Sequence, residues 1–199
     1  MPDKEKHFMK FQESLQQATK SMEQYYFKIA MAKSKKYFFR ERVYCYELYH
    51  QLRLALQCSP YTLQGEMDKN GHPIIHREIG ALKPDFIFHE QGTMKNNLIV
   101  MEVKPLNNAS GSQLKKDLDT LTRFIDLDYY RAIHLIYGSL SRDDGGISKI
   151  IRIYREYMTP TRLNVYQGKL LLYWHRNNGE FAIIYDWERE VFNTSNNNR

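Results

Sequence analysis

The sequence of 199 residues contains no run of eighteen or more apolar residues, the length that a membrane-spanning helix requires. Its first ten residues, MPDKEKHFMK, are charged and include no apolar segment of the kind that directs secretion. These two absences argue against a membrane protein and make the cytoplasm the expected location. Hydrophobic residues make up 42% of the chain, which suits one globular domain with ample material for a core.

Cysteine is scarce, since Cys45 and Cys58 are the only two and cannot form a disulfide framework. Neither belongs to a Cys-x-x-Cys motif, which argues against a structural zinc site. His72 and His76 flank Pro73, and a proline there argues against a helix that would present them as a pair of metal ligands. No Ser/His/Asp or Cys/His arrangement indicates a nucleophilic side chain.

Acidic residues are outnumbered, with 23 Asp and Glu against 29 Lys and Arg, and the net charge is +6. A basic protein approaches a polyanion at lower electrostatic cost, and phosphate contacts dominate affinity for nucleic acid. Many proteins of this charge bind no nucleic acid, so the charge alone is a weak indication. The densest basic stretch is either a phosphate-contacting patch or a solvated helix junction. It comprises Lys33, Lys35, Lys36, Arg40 and Arg42, opposed only by Glu41.

Residues 4–36 are predicted to form one long helix, because no glycine or proline interrupts them. Apolar residues recur there at alternating steps of three and four, which makes a narrow stripe along one side. The stripe can pack on its own domain or on the same helix of a second copy, and the sequence leaves both open. The chain thus divides into a helical arm (1–36), a folded domain (37–190) and a polar tail (191–199). The stripe consists of Phe8, Phe11, Leu15, Ala18, Met22, Tyr25 and Ile29.

A second helix is predicted over residues 37–56, and the tyrosines of its YCYELY segment are expected in the core rather than in a base-stacking surface. Glu47 is the only acid in the middle of this helix. One side of the helix is marked by Val43, Tyr46, His50 and Leu54.

After the second helix, the spacing of apolar residues changes to that typical of strands. The apolar segment 132–140 is expected in the middle of a sheet that is covered on both faces. Helices are predicted from Ser110 onward, with Leu114, Leu118, Leu121 and Ile125 buried, and over 147–158 before Pro160. Strands are predicted at 61–67, 84–89, 97–104 and 132–140, with a terminal hairpin of 170–176 and 180–187 around Asn178-Gly179.

Three charged residues stand at the ends of two predicted apolar strands. Asp85 opens one strand, and Glu102 and Lys104 close the next. Side chains two apart on a strand project from the same face, so Glu102 and Lys104 point the same way. If the two strands are antiparallel neighbours, Asp85 returns beside Glu102. Charged groups among apolar residues are costly to desolvate unless they are paired or bind a metal, so the alternative to a metal site is a structural salt bridge.

Such a cluster offers what phosphodiester hydrolysis needs. Two carboxylates can hold Mg²⁺, which keeps waters and phosphate oxygens in its remaining positions. The metal polarises the phosphate and lowers the pKa of a bound water. A nearby lysine can stabilise the developing negative charge or position the attacking water.

Pro84-Asp85 followed by Glu102-Val103-Lys104 resembles the signature of the PD-(D/E)XK nuclease superfamily. The resemblance spans roughly residues 37 to 140 and implies the restriction-endonuclease-like αβββαβ core. The implied fold is α/β with a central mixed sheet, to which this chain adds a long N-terminal helix and a C-terminal β-hairpin.

The resemblance also implies roles for individual residues. Asp85 and Glu102 would bind the metal together with the carbonyl of Val103, and Lys104 would be the catalytic lysine. Many members add a glutamate from the helix before the sheet, and Glu47 is the candidate here, the alternative being a solvated glutamate. A polar residue on the following helix often contributes as well. Gln113 or Lys116 could fill that place, although Ser110 and Gln113 equally fit a capping box.

The sequence therefore predicts a nuclease that uses Mg²⁺, with Mn²⁺ as a substitute, and a nucleic-acid partner, DNA rather than RNA. The alternative is a nucleic-acid-binding or scaffolding protein that keeps the fold without cleaving. No membrane partner is expected. Assembly as a homodimer through the N-terminal helix is compatible with either function.

Overall fold

A mixed sheet of seven strands forms the centre of the fold, and its strands lie side by side in chain order. The computed structural model describes residues 3–34, 36–65, 82–93, 96–139 and 145–193. A separate pair of short strands, β1 (Ile29–Ala30) and β2 (Tyr37–Phe38), forms an antiparallel hairpin. The central sheet contains β3 (Thr62–Gly65), β4 (Phe86–His89), β5 (Asn97–Pro105), β6 (Arg131–Tyr137), β7 (Leu170–His175), β8 (Ile183–Asp186) and β9 (Val191–Asn193).

Helices cover both faces of this sheet. Successive strand residues face opposite sides, so Met101 and Val100 of β5 join separate cores on the two faces of the sheet. The expectation of an α/β fold with a central mixed sheet is thus confirmed. The helices are α1 (Lys4–Lys20), α2 (Gln24–Phe27), α3 (Glu41–Ala55), α4 (Gly111–Asp126), α5 (Gly145–Tyr157) and α6 (Pro160–Tyr166).

The middle of the sheet is parallel and its first part is antiparallel. β3, β4 and β5 pair in antiparallel fashion, and β6 runs parallel to both β5 and β7. The apolar β6 is buried in the middle, as predicted for a strand covered on both faces. α4 begins after its N-cap Ser110 and buries the four apolar residues predicted for it.

The prediction of one helix over residues 4–36 is wrong, because α1 ends at Lys20 and α2 and the β1–β2 hairpin follow. The physical reason is Phe27, which turns into the core and packs edge-on against Tyr137 at 5.8 Å. Such tertiary packing outweighs local helical periodicity. From Phe8 to Met22 the apolar stripe is buried in the domain's own core, so the arm packs on its own domain.

The second helix begins at Glu41, not at Tyr37, because Tyr37 and Phe38 pair with β1 instead. Aromatic residues favour extended backbone, and a hairpin partner is at hand. The expectation that the tyrosines of this segment are core holds for Tyr44, which is fully buried, but not for Tyr46, which is 61% exposed. Leu54, on the same side as Tyr46, is also exposed.

The C-terminal part follows the prediction with two changes. Pro160 was predicted only to follow the end of the helix over 147–158. It also begins α6, where it stands in the first turn and a missing N–H is tolerated. Residues 191–193, expected in a polar tail, add β9 to the sheet edge. The terminal hairpin is confirmed, with Gly179 at a positive φ of 76°. His72, His76 and the end of the strand predicted at 61–67 lie outside the described residues.

No helix within the described ranges is long and apolar enough to cross a membrane.

His175, fully buried at the end of β7, should make the protein sensitive to acid. Its Nδ1 lies 2.8 Å from the hydroxyl of Tyr44, and burial lowers the pKa of His175 to about 3. The unfolded chain takes up this proton below about pH 6.5 and the native state does not, so this contribution to stability is lost as the pH falls.

We expect the free energy of unfolding of the wild type to fall, relative to that of His175→Gln, by about 1.4 kcal/mol per pH unit below about pH 6.5. Urea denaturation of both proteins between pH 4 and 8 measures the difference. Parallel pH profiles for the two proteins would show that His175 is protonated in the native state as readily as in the unfolded chain.

Candidate active site

Asp85 and Glu102 meet because β4 and β5 are antiparallel neighbours. Their register pairs Ile87 with Val100, and its continuation sets Asp85 opposite Glu102. Asp85 Oδ2 accepts a hydrogen bond of 2.7 Å from the backbone N–H of Val103, which fixes the carboxylate at the sheet edge. The structure thus brings together the two carboxylates as the strand arrangement predicted.

The two carboxyl groups share a buried environment that disfavours two negative charges. Burial raises the pKa of Asp85 to about 6, although the hydrogen bond from Val103 opposes the rise. Burial, followed by the charges of Asp85 and Asp117, raises the pKa of Glu102 well above its ordinary value. Hydrogen bonding between the two carboxyl groups adds to the rise in the pKa of Glu102 and lowers that of Asp85. A cation beside the pair would offset the repulsion between two negative charges.

Lys104 projects from the same face of β5 as Glu102 and is held by two acids. Its Nζ lies 2.9 Å from Glu41 Oε2 and 3.5 Å from Asp117 Oδ2, and its side chain is only 13% exposed. Burial alone would lower the pKa of Lys104, but the charges of Asp117, Glu41 and Asp85 outweigh burial and raise it. The lysine is therefore a fixed positive charge beside the carboxylate pair.

Asp117 and His134 belong to this cluster although the sequence did not single them out. His134 is the partner of Glu102 in the parallel register of β5 and β6, and it is fully buried. Its Nε2 lies 3.7 Å from Asp117 Oδ2, and its Nδ1 lies 2.7 Å from the hydroxyl of Tyr154. A signal for Asp117 was present in the sequence, since it stands three residues after Leu114, on the buried face of α4.

Glu41, and not Glu47, contacts Lys104. Glu47 is buried at 8% exposure, and its Oε1 accepts a hydrogen bond of 2.6 Å from Gln51 Nε2. It lies six residues further along α3, about 9 Å at the usual helical rise. Among the described residues, no hydrogen bond or ion pair links Glu47 to the cluster. Because the helix was predicted to start at residue 37, Glu41 could not be recognised as its first residue.

Gln113 both caps α4 and faces the candidate site. Its backbone N–H donates to Ser110 Oγ at 3.3 Å, and the hydroxyl of Ser110 donates to Gln113 Oε1 at 3.0 Å. Ser110 is thus the N-cap of α4, but the capping box is only half formed, because the backbone N–H of Ser110 donates to the carbonyl of Asn108 instead. The side chain also lines the same cleft as Lys104, so its catalytic contribution stays a prediction. Lys116 is exposed on α4.

Two open cavities reach the cluster from the surface. A cleft of about 770 Å³ exposes Lys104, and a smaller one of about 360 Å³ exposes Asp85. Tyr46 lines both, so its ring stands between the lysine side and the carboxylate side of the site. The large cleft is also basic and aromatic, with Arg40, Arg42, Phe38 and Phe39 among its lining residues.

The residues present fit a hard divalent cation of the Mg²⁺ type. Within the described residues, no group of three or more His, Cys, Asp or Glu side chains is arranged to hold a metal ion. Mg²⁺, however, is often held by only one or two carboxylates with waters and substrate phosphates. Asp85 and Glu102 supply two carboxyl groups in contact, and a bound cation would oppose the burial that raises both of their pKa values. The backbone carbonyl of Val103 stays the predicted third ligand.

Comparisons of the chain with models of known families, with curated proteins and with solved structures found no match. The residues of this chain and their geometry are therefore the basis for assigning a function to the site.

Proposed function

We propose that the chain is a Mg²⁺-dependent nuclease that hydrolyses phosphodiester bonds in nucleic acid, with DNA favoured over RNA and Mn²⁺ able to replace Mg²⁺. The observation that carries this proposal is the contact between the Asp85 and Glu102 carboxyl groups, with Lys104 beside them. A cytoplasmic location belongs to the same proposal.

The arrangement of the elements supports the resemblance to PD-(D/E)XK nucleases. Helix α3 precedes three antiparallel strands, and α4 then leads to the parallel strand β6. This order is that of the αβββαβ core that the resemblance implied. Asp85 stands before the second of these strands, and Glu102 and Lys104 stand near the end of the third. We propose on these grounds that the domain has a restriction-endonuclease-like core.

Each residue of the cluster has a role in the proposed reaction. Asp85, Glu102 and the carbonyl of Val103 would hold Mg²⁺, whose chemistry in such a site is to polarise the phosphate and to lower the pKa of a bound water. Lys104 donates hydrogen bonds toward the phosphate and stabilises the charge that develops on its oxygens. Asp117 and Glu41 hold the lysine in position and keep it protonated.

One assay tests the function directly. Purified protein is incubated with single-stranded and duplex DNA and RNA in Mg²⁺, in Mn²⁺ and in EDTA, and the products are separated by size. The proposal expects cleavage with either metal, none in EDTA and none by Asp85→Ala. If the protein cleaved none of these substrates with either metal, the proposal would be wrong.

The second candidate is a nucleic-acid-binding or scaffolding protein that has kept the fold. The basic cleft favours it, because Arg40 and Arg42 can contact phosphates without any reaction. Salt-dependent binding of DNA by a protein that cleaves no substrate would identify this second function.

The homodimer expected through the N-terminal helix stays a proposal with less support, because the stripe from Phe8 to Met22 is occupied by the chain's own core. Sedimentation at several protein concentrations tests it.

Glu41 and Glu47 lie on the same helix, so matched variants of the two test which glutamate belongs to the site. We expect Glu41→Gln to lower the cleavage rate about 10- to 100-fold, because residues that orient a catalytic group contribute this much. Glu47→Gln should change the rate less than about threefold. Rates measured from pH 6 to 10 check both variants, and a larger loss in Glu47→Gln would return Glu47 to the site.

A further inference from the structure

Most tyrosines of this chain are buried or half-buried. All 15 lie in the described residues, and only Tyr25, Tyr26, Tyr37 and Tyr46 are exposed. These four fall within residues 25–46, which lead from α2 through the β1–β2 hairpin into α3. Large rings left in water by the fold contribute little to stability, and a cluster of them indicates a surface that binds something.

Positive charges are interleaved with these rings. Between residues 25 and 46 the chain has six Lys and Arg and one acid, Glu41, whose carboxylate is bound to Lys104. The Lys28 ammonium lies 5.0 Å from the centre of the Tyr37 ring, and the Arg40 guanidinium lies 4.8 Å from that of Phe38. Cations beside exposed rings form a surface suited to a partner that has both negative charge and flat aromatic groups.

One side of this segment lines the candidate active site, and Tyr46 is the exposed tyrosine that lies there. Ile29 and Phe38 are paired across the hairpin, and both line the cleft that exposes Lys104. Tyr46 stands between the two cavities of the site. The hairpin is anchored at its base, where Phe39 packs edge-on against the buried Phe27 at 5.9 Å. Ile29, Phe38 and Phe39 therefore form one wall of the cleft.

We propose that Phe38, Arg40 and Tyr46, which line the cleft of Lys104, form a stacking platform that binds single-stranded nucleic acid and leads the strand to Lys104. Lysine and arginine contacts to phosphates would serve a duplex equally well. Exposed rings, in contrast, need bases whose faces are open, and in a duplex those faces are covered by neighbouring bases. The substrate class is therefore an unpaired strand or an unpaired end. This inference deepens the proposed nuclease function and rests on it for the direction of the strand.

Binding is measured by fluorescence anisotropy of a labelled twenty-nucleotide oligothymidine in EDTA, so that no cleavage occurs. We expect Phe38→Ala and Tyr46→Ala each to weaken binding about tenfold, and Phe38→Tyr and Tyr46→Phe to stay within about twofold of the wild type. The matched control is Phe181→Ala, which removes an exposed ring beside Lys20 at 4.6 Å, outside the cleft. It should leave affinity unchanged.

A labelled duplex of the same length should bind more weakly than the single strand and lose little on ring removal. Equal binding of duplex and single strand, or affinity unchanged in both alanine variants, would overturn the platform. Neither result depends on cleavage. A wild type that cleaves nothing but loses affinity on ring removal retains the platform and loses the nuclease function. A wild type that cleaves without using the rings retains the nuclease function and loses the platform.

Discussion

Lys104→Met should lower the rate of metal-dependent cleavage at least about 100-fold, because a single lost charge donor at a reacting phosphate or acyl centre has an effect of this size. The same change should also destabilise the protein. Lys104 lies against Asp117, of which 11% of the side chain is exposed, and removal of one partner of a buried ion pair leaves the other uncompensated. We expect a loss of about 3 kcal/mol in the free energy of unfolding.

A double variant separates the catalytic role of the lysine from its structural one. Asp117→Asn removes the uncompensated charge, so Lys104→Met/Asp117→Asn should recover most of the lost stability and none of the lost activity. Urea denaturation and initial cleavage rates for the wild type, both single variants and the double variant complete the cycle. If activity returned together with stability, Lys104 would be only one half of a structural salt bridge, the alternative that the sequence left open.

The sequence was sufficient to predict that Glu102 and Lys104 lie side by side in the site, because the alternation of side chains along a strand is a local rule. A two-residue spacing puts Glu102 and Lys104 on one face whatever the rest of the fold does. The hairpin of β4 and β5 then places Asp85 by register alone. The apolar β6 and the buried face of α4 followed from similarly local patterns.

The remaining members of the cluster could not be predicted in this way, because they come from elements whose position depends on tertiary packing. Glu41 reaches Lys104 only because the second helix starts at residue 41, and this start depends on a hairpin between segments that both looked helical. Asp117 and His134 meet only after α4 has crossed over the sheet to β6. Such contacts have no signature within a single segment.

The completed cluster has more acids than its one lysine can neutralise. Asp85, Glu102, Asp117 and Glu41 surround Lys104, and the pKa values of two of these carboxyl groups are raised. A domain that needed only a stable core would gain from fewer buried charges. The cation proposed for this site would offset the excess of acidic groups at this accessible sheet edge, and without it the excess costs stability.

Asp85→Asn should consequently stabilise the metal-free protein while it abolishes metal-dependent cleavage. The pKa of Asp85 is raised from 3.8 to about 6 in the native state. Between these values the native protein binds more protons than the unfolded chain, so its stability falls as the pH rises through this window. Above about pH 6 the charged carboxylate costs about 3 kcal/mol, and asparagine avoids this cost. The amide oxygen of asparagine can still accept the hydrogen bond from Val103.

The expected signature is a stability difference that depends on pH. In EDTA, Asp85→Asn and the wild type should unfold at similar urea concentrations near pH 4, and the variant should be more stable by up to about 3 kcal/mol at pH 7.5. Added Mg²⁺ should stabilise the wild type at pH 7.5, because a ligand of the native state shifts the equilibrium toward it, and should have little effect on the variant. If the variant were less stable at pH 7.5, or if Mg²⁺ stabilised both proteins equally, Asp85 would not be part of a metal site.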